Sequence, residues 1–254
     1  TISEPMVDNY SLSFDGQNDF VEVVNNSNLP EGLDNFTFSS LIKIGNFNDD
    51  HRIILCNNIT DNFQFAIRQS SDNFTSIDTY IGGVFSESSS IEWEPDRWYQ
   101  ITITRESGSI LKFYRDGIFI NSSENAGVIL NENIEIGYRS ANAYNHPFDG
   151  LLDNISIWSQ ALTESQIQSN LNANLSGNEE GLAAFWNFNE GSGNVLTDLS
   201  GNGNNGIISG ATWIQEEVYS SNQIETYGLT LIPDPNWNGS TEITVQSFDE
   251  SGGT

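Results

Sequence analysis

The most informative segment is Gly181-Leu-Ala-Ala-Phe-Trp-Asn-Phe-Asn-Glu-Gly-Ser-Gly193, followed by Thr197-Asp-Leu-Ser-Gly-Asn-Gly-Asn-Asn-Gly206 and Gly210-Ala-Thr-Trp213. An aromatic strand runs into a loop of Gly, Asn, Asp and Ser, and a strand with a tryptophan follows. Gly and Asn tolerate positive φ, so the backbone of such a loop can fold back tightly on itself. Its oxygens are also hard ligands of the kind that calcium takes. The loop is therefore compatible with a structural turn and with a metal site.

The composition limits the classes of partner. The chain has 254 residues, of which 35 are acidic and 8 basic, with a formal net charge of −27. This excess argues against nucleic acid and against a polybasic membrane contact, because so few cations cannot neutralise a run of phosphates. It is compatible with divalent cations, with a salty environment outside the cell, or with solubility alone. No apolar run approaches the roughly 20 residues that span a bilayer, so no membrane insertion is predicted.

The single cysteine, Cys56, excludes an intrachain disulfide framework. Since it lies in the apolar run Arg52–Cys56, we expect it in the core. The lack of bridges is compatible with secretion, because a domain of this size can bury an adequate core without them. No signal peptide is recognised, so we expect the chain to begin after processing or within a longer protein.

Alternation of apolar and polar residues with a period of two runs through most of the chain. In Trp98–Thr104, for example, Tyr99, Ile101 and Ile103 fall on one face. Asp116-Gly117 separates two further runs and is a strong signal for a two-residue hairpin. Turn signals recur about every 8–12 residues, which predicts an all-β, two-sheet antiparallel sandwich.

One short helix is predicted. Thr163 and Gln166 fit a capping box, in which each side chain satisfies a backbone N–H of the other residue. Ile167, Leu171 and Leu175 then recur at four-residue spacing and form one apolar stripe. We expect a packing helix that carries neither a ligand nor a catalytic base.

The character of the sequence changes near residue 217. Glu216–Gln223 is typical of a linker, and strand-like runs follow in Tyr227–Ile232 and Glu242–Phe248. This piece is shorter than the ~40 residues at which an unbridged domain could stand alone. We therefore divide the chain into a linker at 1–9, a main domain at 10–217, and a C-terminal β fragment of a further module at 218–254.

Several stretches of the main domain resemble bacterial LamG-like modules of the laminin G/pentraxin, concanavalin A-like lectin/glucanase class. They are Ser11–Val23, Trp98–Gly117, Phe148–Trp158 and the Gly181–Gly193 segment. The tail around Pro235–Val245 is similar to cadherin-like or Ig-like repeats of large bacterial surface proteins. The resemblance implies a concanavalin A-like jelly roll, often with calcium at one rim, in secreted or cell-surface proteins. Such modules bind glycans or proteins, or act as spacers.

Three oxygen-rich segments supply candidate calcium ligands, and the family fold implies that they lie near one another. They belong to the first turn, the late strand and the Gly/Asn loop, and comprise Asp15, Asp19, Asp153, Asp198, Asn202 and Asn204. Asp153 is the most informative, because it interrupts the apolar strand Leu151–Ile155, where an unpaired buried carboxylate would be costly. We predict calcium as a structural cofactor that joins these segments. The alternative is a set of Asx turns and hydrogen-bonded caps without metal.

Sugar binding would use exposed aromatic side chains beside polar groups. Trp93 and Tyr144 lie in polar segments and are candidates for stacking, while Arg139 and His146 could add hydrogen bonds. The alternative is that these residues are structural, since aromatic side chains are common in sandwich cores and at loop bases.

Catalytic motifs are not recognised. Concanavalin A-like glycosidases carry carboxylates on one strand face, but the nearest run here, Asn131–Glu135, places Glu132 and Glu135 on opposite faces. With two histidines and one cysteine, neither a nucleophile elbow nor zinc-binding spacing is present. We therefore expect no enzymatic activity, with a divergent glycosidase as the remaining alternative.

The sequence supports three functional hypotheses. The first is a non-catalytic, calcium-stabilised binding or adhesion module, secreted or on a bacterial cell surface, that recognises a glycan or a surface protein. The second is a structural spacer without a ligand of its own. The third is an accessory domain of a secreted hydrolase. In each, neighbouring domains of a longer chain are expected.

Overall fold

The computed structural model describes residues 10–24, 29–32, 34–45, 51–57, 63–71, 74–94, 96–130, 133–138, 146–171 and 173–215. All of them lie in one unit, Thr1–Val218. The predicted linker 1–9 and the predicted β fragment 218–254 therefore lie outside the described residues, and so do Arg139 and Tyr144.

Two antiparallel sheets make up the described part of the chain. The first sheet contains β1 (Tyr10–Asp15), β3 (Phe36–Ile44), β9 (Trp98–Glu106), β10 (Ile110–Arg115), β11 (Ile118–Glu124), β13 (Asp149–Trp158), β14 (Leu182–Trp186) and β17 (Thr212–Gln215). The second sheet contains β2 (Phe20–Val23), β4 (His51–Asn57), β5 (Phe63–Ser71), β6 (Phe74–Ile81), β7 (Val84–Glu87), β8 (Ile91–Glu92), β12 (Ile134–Ile136), β15 (Val195–Leu196) and β16 (Gly206–Ser209).

The strand order carries many crossovers. The first sheet runs β11-β10-β9-β3-β13-β1-β17, with β14 beside the second half of β13. The second runs β15-β16-β2-β12-β4-β5-β6-β7, with β8 also paired to β6. This arrangement confirms the predicted all-β, two-sheet antiparallel jelly-roll sandwich.

The core lies between the inner faces of the sheets. Tyr99, Ile101 and Ile103 are all buried there, as the period-two pattern of β9 predicts. Across the core, the rings of Phe38 on β3 and Phe65 on β5 stack with their centroids 4.5 Å apart. Each large apolar side chain buried in this way contributes roughly 1.5–3 kcal/mol. Cys56 is also buried, as predicted.

The hairpin between β10 and β11 and the helix form as the sequence predicts. Asp116 and Gly117 have φ values of 50° and 70°, the left-handed pair that a two-residue turn of this type requires. The helix α1 spans Glu164–Asn170, and both hydrogen bonds of the Thr163 capping box are present.

The predicted apolar stripe of the helix is only partly correct. Leu171 is the C-terminal cap, so Leu175 lies beyond the helix. Leu175 nevertheless packs with Ile167 against a second apolar cluster on the outer side of the first sheet, formed with Tyr114, Trp158, Leu162, Leu182 and Phe185. Within the described ranges, no helix has the length and apolar character needed to cross a membrane.

Arg105 is a fully buried cation at the end of β9. Its guanidinium donates to three backbone carbonyls, from Nε to Asp34 O (2.8 Å), from Nη1 to Gly127 O (3.0 Å) and from Nη2 to Gly32 O (3.0 Å). It also lies over the ring of Phe36, 4.9 Å from the centroid. Burial lowers the pKa of Arg105 to about 10, against the opposing attraction of Asp34. This one side chain therefore joins two loops at the edge of the sandwich.

Candidate functional site

A groove crosses the outer face of the first sheet. We call it the outer groove; including its open mouth it encloses about 590 Å³. Outward-facing residues of β3, β9 and β13 form its floor, and the alternate residues of these strands face the core. The helix α1 and the segment after it form one wall. The lining residues are Thr37, Ser39, Leu41, Gln100, Thr102, Asn154, Ser156, Trp158, Leu162, Ile167, Asn170, Leu171, Ala173, Asn174, Leu175 and Phe185.

The outer groove carries no charge among its described lining residues. None of the 16 is Asp, Glu, Lys or Arg, although the chain has 35 acidic and 8 basic residues. The polar groups that line it are hydroxyls and amides. Such a surface suits a neutral ligand that offers many hydroxyl groups, and it contains no carboxylate pair for acid–base chemistry.

A bulge in β13 exposes Asn154 in the groove floor. The pairing of β13 with β3 shifts register between Asp153 and Ser156, and Asn154 has φ of 45°. A bulge inserts one residue into a strand and redirects the side chains around it, and bulges are over-represented beside functional sites. A non-glycine residue with positive φ in the middle of a central strand also stores backbone strain. These two features single out Asn154 as a candidate binding residue.

Gln100 offers a second polar group on the neighbouring strand. Its backbone is fixed by reciprocal hydrogen bonds with Asp116, at 2.9 Å from Gln100 N to Oδ1 and 2.8 Å from Asp116 N to Gln100 O. Its side-chain Oε1 is buried and has no hydrogen-bond partner among the described residues. An unsatisfied buried acceptor costs about 1–3 kcal/mol. A hydroxyl group of a ligand or a water molecule in the groove would remove that cost.

The other hydroxyls of the groove are held by the protein itself. Ser39 Oγ lies 3.0 Å from Thr102 Oγ1, and Ser156 Oγ accepts from Trp158 Nε1 at 3.1 Å. Thr37 Oγ1 accepts from the backbone N–H of Leu162 at 2.8 Å. These bonds give the floor a fixed arrangement of polar atoms.

Sequence reasoning missed the outer groove. The outward polar face of β9 is visible in the sequence, and so is the consecutive polar pair Asp153-Asn154 within an apolar strand. Two adjacent polar residues break the period of two, which is the signal of a bulge. Asn154 lines the groove, and its Nδ2 also donates to Oδ2 of the buried Asp153 carboxylate at 3.3 Å.

Asp198 organises the Gly/Asn loop by accepting hydrogen bonds. Its Oδ1 accepts from the backbone N–H of Phe185 (3.0 Å) and of Ser200 (2.9 Å). Its Oδ2 accepts from the backbone N–H (2.9 Å) and the Nδ2 (3.1 Å) of Asn204. Four donors occupy both oxygens of a buried carboxylate, so Asp198 fits the hydrogen-bonded alternative rather than a metal ligand.

Asn202 and Asn204 both donate side-chain hydrogen bonds to the protein. Asn202 Nδ2 donates to the carbonyls of Leu182 (3.3 Å) and Ala183 (3.0 Å). Asn204 Nδ2 donates to Ala183 O at 3.0 Å, and the backbone carbonyl of Asn204 accepts from Trp186 Nε1 at 2.8 Å. The side-chain Oδ1 of Asn204 is buried and has no hydrogen-bond partner among the described residues. The two amides thus tie the loop to β14.

The three segments with predicted calcium ligands do not meet. Asp15 pairs with position 149 of β13, whereas Phe185, which donates to Asp198, pairs with position 156. Seven residues of extended strand separate these positions, roughly 20 Å. Asp153 lies between them, fully buried, and accepts from the backbone N–H of Asn154 at 2.7 Å.

The structure therefore does not gather the six predicted ligands at one point. No cluster of three or more Asp, Glu, His or Cys side chains suited to a metal occurs within the described ranges. The physical reason is the register of β13, which fixes the first turn and the Gly/Asn loop at separate points along one strand. Calcium binding by the chain stays a prediction.

The predicted sugar-stacking residue Trp93 is in the core. It is fully buried, its Nε1 donates to Thr75 O at 3.1 Å, and its ring lies 4.5 Å from that of Tyr99. The sequence does not indicate this burial, because the neighbours of Trp93 are polar and Trp93 directly follows the end of strand β8. His146 is partly buried, with φ of 34°, and its carbonyl accepts from Ile53 N at 2.9 Å, so it has a loop-closing contact. Arg139 and Tyr144 lie outside the described residues.

The first turn yields a prediction on pH. Burial raises the pKa of Asp19 above 3.8, and the neighbouring Asp15 carboxylate adds to the effect against a hydrogen bond from Asp15 N. Between the pKa of Asp19 in the unfolded state and its higher pKa in the folded state, the native state binds more protons than the unfolded state. The free energy of unfolding therefore falls as the pH rises through the folded pKa. Asp19→Asn should therefore remove this loss, so its stability relative to wild type should be higher at pH 7 than at pH 3. Urea melts of both proteins from pH 3 to 7 check this; a constant difference would contradict it.

The two sheets and their strand order define a concanavalin A-like jelly-roll sandwich. The chain belongs to the concanavalin A-like lectin/glucanases superfamily, whose model matches residues 15–168. The matched range ends in α1, so the Gly/Asn loop lies beyond it. Among curated proteins the comparison finds no match.

Two solved structures are similar to this chain. A proposed carbohydrate-binding protein from Bacteroides ovatus ATCC 8483 is 20% identical with a TM-score of 0.67, over 84% of this chain and 61% of its own. A native heptameric SAP-like pentraxin from Limulus polyphemus is 17% identical with a TM-score of 0.57, over 79% of this chain and 94% of its own. The chain thus spans less than two thirds of the Bacteroides protein, and identities this low establish the fold alone.

Proposed function

We propose that this chain is a non-catalytic binding module that holds a neutral glycan in the outer groove. The observation that carries the proposal is the uncharged lining of that groove in a chain of net charge −27. A neutral oligosaccharide presents hydroxyls to amides and hydroxyls, and apolar C–H faces to apolar walls such as Leu41 and Leu175. The groove provides both kinds of surface.

The bulge and the unsatisfied acceptor support the same proposal. Asn154 is held at positive φ in the groove floor, and Gln100 Oε1 is buried there without a partner among the described residues. A ligand hydroxyl that donates to Gln100 would satisfy a polar atom that the described protein leaves unsatisfied. Glycoside hydrolysis needs two carboxyl groups about 5–10 Å apart, and the described groove lining has none, which supports a role without catalysis.

The family supports our proposal for the wider setting of the module. We place the module outside the cell, secreted or on a bacterial surface, within a larger protein in which it contributes to adhesion. The Bacteroides relative, proposed to bind carbohydrate, supports a glycan as the partner. The acidic composition suits an extracellular, salty environment. Calcium stabilisation belongs to this proposal as an expectation.

Two substitutions test the proposed groove. Asn154→Gly removes the side chain while keeping a residue that accepts positive φ without strain, and Gln100→Ala removes the unsatisfied acceptor. Each should weaken binding of a neutral oligosaccharide, first identified on a glycan array, about tenfold, because a lost hydrogen bond of about 1.4 kcal/mol is a factor of ten. Isothermal titration calorimetry measures the change.

The matched control is Thr212→Ala, at an exposed position of β17 that does not line the groove, which should leave affinity unchanged. Thermal melting of all variants separates a binding defect from unfolding. If the Asn154→Gly, Gln100→Ala double variant binds the array ligand like wild type, the groove is not the site. If the wild-type protein binds no glycan, the spacer hypothesis replaces the proposal.

A further inference from the structure

A second cleft, which shares no lining residue with the outer groove, lies between the edges of the two sheets. Including the open space at its mouth, it spans about 660 Å³, and it is lined by Ser89, Ile91, Arg115, Asp116 and the β11 residues Ile118–Ile120. β8 belongs to the second sheet and β11 is the last strand of the first. A hydrogen bond from Ser89 N to Asn121 Oδ1, 2.9 Å long, joins the two edges beside it. We call this space the edge cleft.

Arg115 is the positively charged group of the edge cleft. Its guanidinium lies over the rings of Tyr99 (5.0 Å to the centroid) and Trp93 (5.6 Å), both of which are buried. One nitrogen, Nη1, donates to the carbonyl of Glu92. Stacking on two fixed rings holds the planar fork in one orientation, so little conformational entropy remains to be lost when it binds a ligand.

Arg115 has no carboxylate partner in the described part of the chain. The nearby Arg97 pairs with Glu94 (3.6 Å) and Asp116 (3.8 Å), and Lys112 pairs with Glu106, but no ion pair within the described ranges involves Arg115. The carboxylate of Asp116, though it lines the cleft, is engaged by Arg97 and by the N–H of Gln100. An arginine without an ion pair to any described carboxylate is unexpected where acidic residues outnumber basic ones 35 to 8.

The rim of the edge cleft is apolar and exposed. Ile118 and Phe119 have 48% and 44% of their surface exposed. Phe119 packs edge-on against Tyr114, with the ring centroids 5.6 Å apart, which fixes the orientation of its ring. The exposed hydroxyl-bearing Ser89 lies on the opposite side. A guanidinium fork, an aromatic face and a hydroxyl therefore surround one space.

We infer that the edge cleft binds an acidic sugar residue, a hexuronate, through its carboxylate. Arg–carboxylate pairs form two parallel hydrogen bonds and are stronger than neutral ones. A uronate ring carries its carboxylate beside an apolar C–H face, so the carboxylate can meet Arg115 while the C–H face packs on Phe119 and the hydroxyls reach Ser89. This site does not depend on the outer groove, whose described lining is uncharged.

The test uses digalacturonate as the probe and galactobiose as its neutral counterpart. Calorimetry should show that the wild-type chain binds digalacturonate, more weakly as salt rises, and binds galactobiose at least tenfold more weakly at this site. Arg115→Gln should lower the affinity for digalacturonate at least tenfold, Arg115→Lys several-fold because it keeps the charge and loses the fork, and Phe119→Ala several-fold. The control Lys112→Gln removes a cation of the same strand, one that is already paired with Glu106. It should leave the affinity for digalacturonate unchanged.

Amide chemical shifts provide a second test, which uses only the wild-type protein and therefore does not depend on whether a variant folds. Digalacturonate should shift the signals of Ile118–Ile120, and not those of Asn154. Equal affinity of Arg115→Gln and wild type for digalacturonate would overturn the inference. Chemical-shift changes confined to residues outside the edge cleft would also overturn it. Tighter binding of a peptide with a free C-terminal carboxylate than of digalacturonate would overturn the sugar as occupant. If the outer-groove variants still bind neutral glycan like wild type, the proposed function fails, but digalacturonate binding at Arg115 is unaffected. The two proposals can therefore fail separately.

Discussion

Asp198→Ala is expected to lower the free energy of unfolding by about 3–5 kcal/mol, equally in calcium and in chelator. The substitution leaves the backbone N–H groups of Phe185, Ser200 and Asn204 without their acceptor. Two of these three residues are buried, so water cannot replace the carboxylate freely. Because a domain is stable by about 5–15 kcal/mol in total, the loss is a large fraction. Denaturant titration with calcium and with EDTA measures it.

Asp15→Ala is the matched control for Asp198→Ala. Asp15 is also a predicted calcium ligand, but it is exposed and its carboxylate accepts from Gln17, through N (2.9 Å) and Nε2 (3.2 Å). Its replacement should cost less than about 1 kcal/mol. If EDTA destabilises the wild type strongly and removes the difference between wild type and Asp198→Ala, then a cation rather than hydrogen bonding organises the loop, and Asp198 is a metal ligand.

Much of the fold could be predicted from the sequence, because the rules that decide it are local. The alternation of Tyr99, Ile101 and Ile103 depends only on the period of a strand, and the turn at Asp116-Gly117 depends only on residues that accept positive φ. The capping box at Thr163 is a contact within one turn of helix. The end of the helix is the exception, since nothing in the four-residue spacing distinguishes Leu175 on a helix from Leu175 after it.

The candidate site could not be predicted in the same way, because it depends on contacts between distant strands. The outer groove exists because β3, β9 and β13 are neighbours, and that order is not visible in any one segment. The polar sequence neighbours of Trp93 indicate an exposed ring, yet the ring of Tyr99 and the carbonyl of Thr75 receive it in the core. Asp198 has the sequence context of a metal ligand, but a carboxylate in a Gly/Asn loop serves equally well as an acceptor of backbone N–H groups.

Arg105→Met is expected to have an effect as large as that of Asp198→Ala, about 3–5 kcal/mol, because it removes the hydrogen bonds of the guanidinium to three carbonyls at the sandwich edge. The carbonyl of Gly32 keeps the N–H of Ile129 as a donor. Methionine has a similar length but removes the cation over the ring of Phe36, so the loss reports the hydrogen bonds together with this cation–π contact rather than a cavity. Arg105→Lys keeps the charge but cannot reach three acceptors with one ammonium group, and should fall between wild type and Arg105→Met. Denaturant titration of the three proteins measures the order.

Lys112→Met is the control for charge removal on the adjacent strand. Its ion pair with Glu106 is exposed, and exposed pairs contribute about 0–1 kcal/mol. Hydrogen exchange provides a second measurement for Arg105→Met: the amides of Gly32 and Ile129, which are hydrogen-bonded to each other's carbonyls at 2.8 and 3.0 Å, should lose protection first. A change below about 1 kcal/mol with those amides still protected would contradict the prediction. The bridge between Gly32 and Ile129 would then hold the two loops without the cation, and the three carbonyls would be solvated instead.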